Sequence, residues 1–279
     1  MSRSEPAARA LASVLRRLDV AQENEHDFKA EAENSNRPRL FGGLVAGQAA
    51  VAAARSTPGF ELHSLHAYFL LPGDPALPVH YSVTPLKRGK NFQACQVLGR
   101  QAERIIFSMQ ASFQRGGVGF EHADPMPEAG SPEQLADLSL AYWGGPGPIQ
   151  LRDCDEGQLA RAAESGMRRV WMRPWTALGE DPVLHMALLV FASDMTLVRT
   201  GVMQHPEFHG RRWGASLDHA LWFHRPPRFD DWVLHTMRSP AAHSGRPLIT
   251  GAMYRRDGTR ILSSAQEGFF RPPQAPQKE

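Results

Sequence analysis

Residues Trp222-Phe223-His224-Arg225-Pro226 repeat the pattern of Tyr68-Phe69-Leu70-Leu71-Pro72, which is two aromatic residues, two larger residues and a proline, 154 positions later (226 − 72 = 154). The next strand-like runs keep this offset, because residues 79–83 fall on residues 233–237. A solenoid repeat would have a period of roughly 20–50 residues. The offset therefore indicates two fused copies of one small domain, and two fused copies can form a binding site along their shared seam.

The remaining elements extend this repeat. The last apolar run of the first half, 105–113, aligns with the stretch around 259–267 of the second half, so Gln266 is the predicted counterpart of Ser112. Each half has the same predicted order, a helix followed by several antiparallel strands, and this order favours a sheet packed around the helix. We therefore predict a first domain at 20–115, a Pro- and Gly-rich linker at 116–148 with a short helical patch at 132–142, and a second domain at 149–271.

Two helices are expected to occupy the centres of these domains. Residues 44–55 are rich in Ala and Val, so small side chains cover most sides of the helix and favour a buried position. Gly42 and Gly43 precede it, and their backbone N–H groups could face a ligand at the positive end of the helix dipole. In the second half, Asp181 is a plausible N-cap and Pro182 a first helical residue for a helix that continues to about Val198.

Composition excludes several classes of protein. The 279 residues include 31 basic and 29 acidic side chains, a formal net charge of +2, which argues against a nucleic-acid partner. Two cysteines, Cys95 and Cys154, are too few for a disulfide framework and lack metal-site spacing, so a cytoplasmic location is the default. No continuous apolar run approaches the roughly 18 residues of a membrane span, and the longest, 183–192, fits a buried helix.

Three polar residues of the second half occupy positions where a packed domain would favour apolar ones. Asp194 ends an apolar helical run, Ser216 begins a strand, and Gln266 lies within the last strand. A buried carboxylate has a raised pKa, and a carboxylate, a hydroxyl and an amide can together orient one water molecule. Spacing alone does not show that they converge. Taken singly, each is better explained by a structural position: Asp194 by a helix end, Ser216 by a strand edge and Gln266 by a solvated strand position.

A resemblance to a known family changes this balance. Residues 216–226, Ala192-Ser193-Asp194 and Gln266-Glu267-Gly268 closely resemble the bacterial acyl-CoA thioesterase II (TesB-like) family. The first half continues the resemblance at 41–49, 63–69 and 71–74. It implies an α+β double hotdog fold, in which two antiparallel sheets each wrap around one long helix. It also implies hydrolysis of acyl-CoA to free acid and CoA by an oriented water, without a covalent intermediate, a metal or a cofactor.

The resemblance assigns the three polar residues. Asp194 would be the general base, and Ser216 and Gln266 would hold the water. Bacterial relatives often have Thr where this chain has Ser216, and the loss of the methyl group frees the side-chain rotamer while keeping the hydroxyl. Relatives associate through sheet surfaces, so a homodimer or homotetramer is expected.

Several alternatives stay open at this point. A non-catalytic acyl-CoA-binding protein would keep the fold, and a hotdog enoyl-CoA hydratase is a second rival, although the chain contains no Asp-x-Asn-x-x-His sequence. Ser216 as a nucleophile is disfavoured, because the residues around it, 214–218, lack the second glycine of a Gly-x-Ser-x-Gly elbow.

Four further residues are candidates for substrate binding. The N–H of Gly43 could stabilise an oxyanion, and His63 could line the site. His63 and His66 are three apart in a predicted strand, so they face opposite sides and cannot share one metal ion. Arg88 and Lys90 belong to a small basic turn that could meet the CoA phosphates, although a solvated hairpin is the favoured explanation.

Overall fold

A computed structural model describes residues 4–140, 143, 145–209 and 214–271. The described helices are α1 (Ser4–Leu18), α2 (Gly42–Arg55), α3 (Leu159–Ser165), α4 (Pro182–Ser193) and α5 (Leu197–Thr200). The strands of the first half are β1 (Ala21–Gln22), β2 (Asp27–Ala30), β3 (Glu61–Phe69), β4 (Val79–Arg88), β5 (Phe92–Gln101) and β6 (Arg104–Gln114). Those of the second half are β7 (Ile149–Asp153), β8 (Arg168–Pro174), β9 (Gly214–Ser216), β10 (Asp218–Phe223), β11 (Val233–His243), β12 (Arg246–Arg255) and β13 (Arg260–Phe270).

In the described part of the chain the strands form one 13-stranded antiparallel sheet, in the order β1-β2-β4-β5-β6-β3-β10-β13-β12-β11-β8-β7, with β9 on β13. The predicted α+β architecture is confirmed, but the two expected sheets join edge to edge. The junction is β3 against β10, where Tyr68 pairs with Asp218 and Ser64 with Trp222. The two repeated sequence patterns therefore lie at the pseudosymmetric centre of the molecule, and the seam predicted from the repeat is a strand pairing.

Helices α2 and α4 pack against each other inside this sheet, and glycines permit their close approach. A β-carbon at Gly43 would lie 2.6 Å from the carbonyl oxygen of Phe191, and one at Gly47 would lie 3.1 Å from that of Ala187. Both helices are almost entirely buried. The predicted N-cap is confirmed, because the Val183 N–H donates to Asp181 Oδ1 at 2.9 Å.

Helix α4, the central helix of the second half, is shorter than the sequence predicted. It ends at Ser193, Asp194 is its C-cap, and a separate turn of helix follows in α5. The stretch Pro182–Thr200 is long and apolar enough to cross a membrane by length and composition, contrary to the expectation from continuous apolar runs. However, 78% of its apolar window is buried inside the protein, and a core helix meets the same criterion.

The repeat is correct for most strands and slips by one residue at the last. Strands β5 and β12 match at the predicted offset, but Ala94 pairs with Ser112 whereas Leu248, 154 residues later, pairs with Glu267. The structural counterpart of Ser112 is therefore Glu267, not the predicted Gln266. The physical reason is the longer turn of the second half, since residues 102–103 lie between β5 and β6 and residues 256–259 lie between β12 and β13. The register shift just before the turn is the same in both halves, after Gly99 and after Met253.

Within the predicted linker at 116–148, Met126, Ala129 and Leu135 pack on the outer face of the second half, against a cluster that includes Trp171 and Tyr254. Of the predicted helical patch at 132–142, residues Pro132–Gln134 form a 3-10 turn, the described residues 135–140 are not helical, and residues 141 and 142 lie outside the described residues. Trp171 Nε1 donates to the Gly130 carbonyl at 2.9 Å, and Arg256 forms a bidentate pair with Glu133 at 2.8 and 2.9 Å. These contacts fix the stretch to the sheet.

Candidate active site

Three side chains that are distant in sequence meet at the C-terminal end of α4. Gln266 Nε2 donates to Asp194 Oδ1 at 2.8 Å, and Ser216 Oγ donates to the same oxygen at 3.4 Å. Asp194 and Gln266 are buried, with 7% and 1% of their surface exposed, and Ser216 is partly buried. The structure thus brings together the three residues whose convergence sequence spacing could not show.

Strand geometry explains why Ser216 and Gln266 face the same way. Ser216 in β9 pairs with Gly268 of β13, and Gln266 lies two residues before Gly268 on the same strand. Side chains two apart in a strand point to the same face. Asp194 reaches this face from the end of α4, so one helix and two strands each contribute one group to the cluster.

Asp218 supports this arrangement, and the sequence analysis missed it. Its Oδ1 accepts the Glu267 N–H at 2.6 Å, next to Gln266, while the Leu217 N–H donates to the Glu267 carbonyl at 2.9 Å. Leu217 separates β9 from β10, so Ser216 ends one strand and does not begin the next, as the sequence predicted it would. Burial raises the pKa of Asp218. An acidic residue inside an otherwise apolar strand was the available signal.

The first half contributes the N-terminus of α2 to the cluster. The Gly43 backbone N–H donates to the Asp194 carboxylate. A β-carbon at Gly42 would lie 2.9 Å from Asp194 Oδ2, so the carboxylate rests directly against the first turn of that helix. The Gly43 N–H thus faces Asp194, and its predicted role in substrate binding stays a prediction.

The electrostatics of Asp194 combine opposing effects. Burial raises the pKa of Asp194 to about 6, and the hydrogen bonds from Gln266, Gly43 and Ser216, together with the positive charge of Arg39, limit that rise. Arg39 Nη2 also donates to the Gly214 carbonyl at 2.7 Å, which holds its charge near β9. A carboxylate with this pKa is ionised at neutral pH and is still basic enough to accept a proton from water.

His63 does not reach the cluster. Its Nε2 lies 2.8 Å from Ser112 Oγ, and its ring packs edge-on against Phe92 at 5.9 Å. His63 is five residues before Tyr68, the residue of β3 that pairs with Asp218. At about 3.4 Å per residue, it is roughly 17 Å along the strand from that pair. The structure therefore places His63 away from Asp194, and its predicted role in substrate binding stays a prediction.

Arg88 and Lys90 are also remote from the cluster. They lie at the turn between β4 and β5, where Phe92 pairs with Gln114 at the same end of the sheet as Glu61. That end is opposite to the Tyr68 row beside Asp194. Arg88 Nη2 is 4.0 Å from Glu25, which is typical of a solvated hairpin. The structure therefore does not bring either side chain to the site and favours the hairpin alternative.

The corresponding position in the first half lacks the cluster. The C-cap of α2, the counterpart of Asp194, is Ser56. The counterpart of Ser216 at the 154-residue offset is Leu62. Gln266 pairs with Ile249, and the equivalent pair of the first half is Cys95 with Ala111. The two halves share a backbone arrangement, but this set of polar residues occurs at one of the two equivalent positions.

Comparison with known proteins agrees with the fold and the repeat. Residues 31–114 match the acyl-CoA thioesterase N-terminal domain family and residues 156–269 match the acyl-CoA thioesterase family. The chain is 34% identical to acyl-coenzyme A thioesterase 8 of Homo sapiens, over 84% of this chain and 81% of that protein. It is 31% identical to acyl-CoA thioesterase 2 of Haemophilus influenzae, over 94% of this chain and 98% of that protein.

Solved structures give the same result. The acyl-CoA thioesterase II TesB2 of Mycobacterium marinum is 33% identical with a TM-score of 0.82, over 94% of this chain and 99% of that one. A protein with a hot dog fold from Alicyclobacillus acidocaldarius, of unknown function, is 16% identical with a TM-score of 0.78, over 94% and 98% of the two chains, and supports the fold alone. The predicted double hotdog fold is confirmed, and this chain belongs to the acyl-CoA thioesterase II family.

Proposed function

We propose that this protein hydrolyses acyl-CoA thioesters to a free acid and CoA. The observation that carries the proposal is the buried Asp194 carboxylate, whose Oδ1 accepts hydrogen bonds from both Ser216 and Gln266. The family to which the chain belongs gives independent support, since relatives similar over most of the chain are named acyl-CoA thioesterases. The proposal assigns Asp194, Ser216 and Gln266 the roles that this chemistry requires.

In the proposed mechanism, Asp194 is the general base for a water molecule held with Ser216 and Gln266. The water oxygen attacks the thioester carbonyl carbon and its proton moves to Asp194. The tetrahedral intermediate then collapses, the carbon–sulfur bond breaks, and CoA leaves as a thiol after it takes up the proton. The N-terminus of α2 beside Asp194 carries partial positive charge, which would stabilise the developing oxyanion near Gly42.

A non-catalytic binding function and a hydrolytic mechanism with Ser216 as nucleophile both fit this geometry less well. A non-catalytic acyl-CoA-binding protein has no need of a buried carboxylate with a raised pKa and two oriented hydrogen-bond partners. A nucleophilic serine needs a base, usually an imidazole, and Ser216 instead donates to Asp194, while His219 Nε2 lies 2.8 Å from Ser193 Oγ. The arrangement favours attack by water.

Thiol release from a panel of acyl-CoA substrates tests the proposal. The wild-type protein is expected to release CoA, and Asp194→Asn is expected to lower kcat by roughly 10²–10⁴-fold, the contribution typical of a general base. Asp124→Asn is the matched control, because it makes the same change at an exposed partner of Arg260. Full activity in Asp194→Asn would remove the proposed base, and thermal stabilisation by acyl-CoA without thiol release would favour the binding protein.

The proposal also includes the expected location, assembly and domain bounds of the protein. We expect a cytoplasmic homodimer or homotetramer with a first domain at 20–115, a linker at 116–148 and a second domain at 149–271. Both cysteines are free thiols, which supports a reducing compartment. Tyr68 and Trp222, 61% and 37% exposed on neighbouring strands of the central sheet, support association through that face. Light scattering of the purified protein measures the assembly directly.

A further inference from the structure

A cavity of about 460 Å³ lies beside the end of α4. Pockets that take small organic ligands typically measure about 300–1,000 Å³. Most of the side chains that bound it are apolar, among them Leu138, Leu140, Trp143, Ile149, Leu151 and Met195. The cavity is therefore large enough to bind a small organic group, and its mostly apolar lining favours an apolar group.

Residues 137–140, 143 and 145–147 line one side of this cavity, and hydrogen bonds hold this part of the chain in place. The Leu138 N–H donates to the Leu151 carbonyl at 2.9 Å, which ties the stretch to β7. Trp175 Nε1 donates to the Gly147 carbonyl at 3.0 Å and Arg152 Nη1 to the Leu135 carbonyl at 2.7 Å. The cavity is thus a preformed feature of the folded chain.

The cavity adjoins the residues that hold Asp194. Met195, which follows Asp194 in the chain, lines the cavity. Trp143, another lining residue, packs against Phe41 and Phe191 with ring centroids 5.7 Å away in both cases. Phe41 is the N-cap of α2, and Phe191 lies one turn before Asp194 in α4. Trp143 therefore stands between the cavity and the two helix ends that surround the carboxylate.

We propose that this cavity binds the acyl chain of the thioester and that Trp143 is a specificity-determining residue at its inner wall. The inference rests on the proposed function, which places the thioester carbonyl at Asp194. An acyl chain leaves that carbonyl as a continuous apolar group, and this preformed space adjoins the end of α4 on which Asp194 sits. Each buried methylene contributes about a fourfold gain in binding, so the volume left free in the cavity sets the chain length at which the gain stops.

Two substitutions change the free volume in opposite directions. Leu138→Trp fills the cavity and is expected to lower the ratio of kcat/KM for lauroyl-CoA to that for butyryl-CoA by about tenfold or more, since a few methylenes lose their contacts. Trp143→Ala removes the indole from the inner wall and so enlarges the cavity. It is expected to raise the ratio of kcat/KM for palmitoyl-CoA to that for butyryl-CoA. Because each measurement is a ratio within one variant, partial unfolding does not affect it.

Trp232→Ala is the matched control for the tryptophan substitution. Trp232 is a buried tryptophan of a separate apolar cluster that includes Trp171 and Tyr254, and it does not line the cavity. Its loss is expected to lower stability without changing the chain-length ratios. Unchanged ratios in both Leu138→Trp and Trp143→Ala would overturn the proposal, as would an equal change in Trp232→Ala.

Equilibrium binding separates this proposal from the proposed hydrolysis. Asp194→Asn and the double variant Asp194→Asn/Leu138→Trp are titrated calorimetrically with lauroyl-CoA, butyryl-CoA and free CoA. Tighter binding of lauroyl-CoA that disappears in the double variant supports the cavity, even if the wild-type protein releases no thiol and the hydrolase proposal fails. Equal affinity for lauroyl-CoA and butyryl-CoA in Asp194→Asn overturns the cavity, whatever the wild-type activity.

Discussion

Gly42 lies so close to Asp194 that a β-carbon at position 42 would stand 2.9 Å from Asp194 Oδ2 and 3.1 Å from the Phe69 ring. Gly42→Ala is therefore expected to push the carboxylate away from Ser216 and Gln266. Misplacement of a catalytic group by about 1 Å can cost on the order of 10²-fold in rate. We expect kcat for acyl-CoA hydrolysis to fall by about that factor with a small change in Tm, since a side-chain carboxylate can move at little cost.

Gly43→Ala provides the contrast one residue later. A β-carbon there would lie 2.6 Å from the backbone carbonyl oxygen of Phe191, which cannot move without separating α2 from α4. Overpacking of this kind typically destabilises a protein by about 1–3 kcal/mol. Urea unfolding of the two variants should show the larger loss for Gly43→Ala. A larger loss of stability in Gly42→Ala would contradict the assignment of its contact to the carboxylate.

The pH dependence of hydrolysis should report the titration of Asp194. Burial raises the pKa of this carboxyl to about 6, and only the ionised form can accept a proton from water. Activity is therefore expected to rise with pH, with about a tenfold change per unit below pH 6 and a plateau above it. Gln266→Ala removes the hydrogen bond that most opposes the rise, so the inflection in kcat/KM should move to higher pH. An inflection at the ordinary aspartate value would contradict a buried base.

The sequence predicted much of this arrangement, and the reasons for its failures are physical. The 154-residue repeat identified matching strands because strand patterns and turns are local properties. It missed the one-residue slip before Gln266, because the length of the turn after Met253 changes register without changing the alternation of residues. Proximity of Asp194 to Gly42 depends on how α2 and α4 pack, which no local pattern encodes. The positions of His63 and Arg88, away from Asp194, could not be predicted for the same reason.

The raised pKa of Asp194 also predicts a cost to stability. Its folded value of about 6 exceeds the ordinary 3.8, so between these values the folded state binds more protons than the unfolded state. The contribution of Asp194 to the free energy of unfolding is fully present below pH 3.8 and is lost as the pH rises through 6. The difference is roughly 3 kcal/mol. Asp194→Asn, which carries no charge, should raise the Tm at pH 8 and change it much less at pH 4. A lower Tm at pH 8 would show that the lost hydrogen bonds outweigh the relieved charge.

Two buried histidines predict the opposite dependence on pH. Burial lowers the pKa of His219 to about 4 and that of His235 to about 3, and both ring nitrogens of His235 are without a hydrogen-bond partner in the described part of the chain. Below the ordinary value of 6.5, the unfolded state binds protons that the folded state does not, so the free energy of unfolding should fall as pH drops from 6.5 towards 4. The expected loss is roughly 3 kcal/mol for a shift like that of His219.

Urea unfolding at several pH values measures this slope, and His235→Leu isolates one contributor. Leucine removes the two unpartnered nitrogens and the titrating group together, so the variant should be at least as stable as the wild-type protein at pH 7.5 and lose less stability at pH 5. His243→Leu is the matched control, because His243 is exposed at the far end of the same strand, β11. An unchanged slope in His235→Leu would mean that His235 is not held neutral by its burial in the sheet.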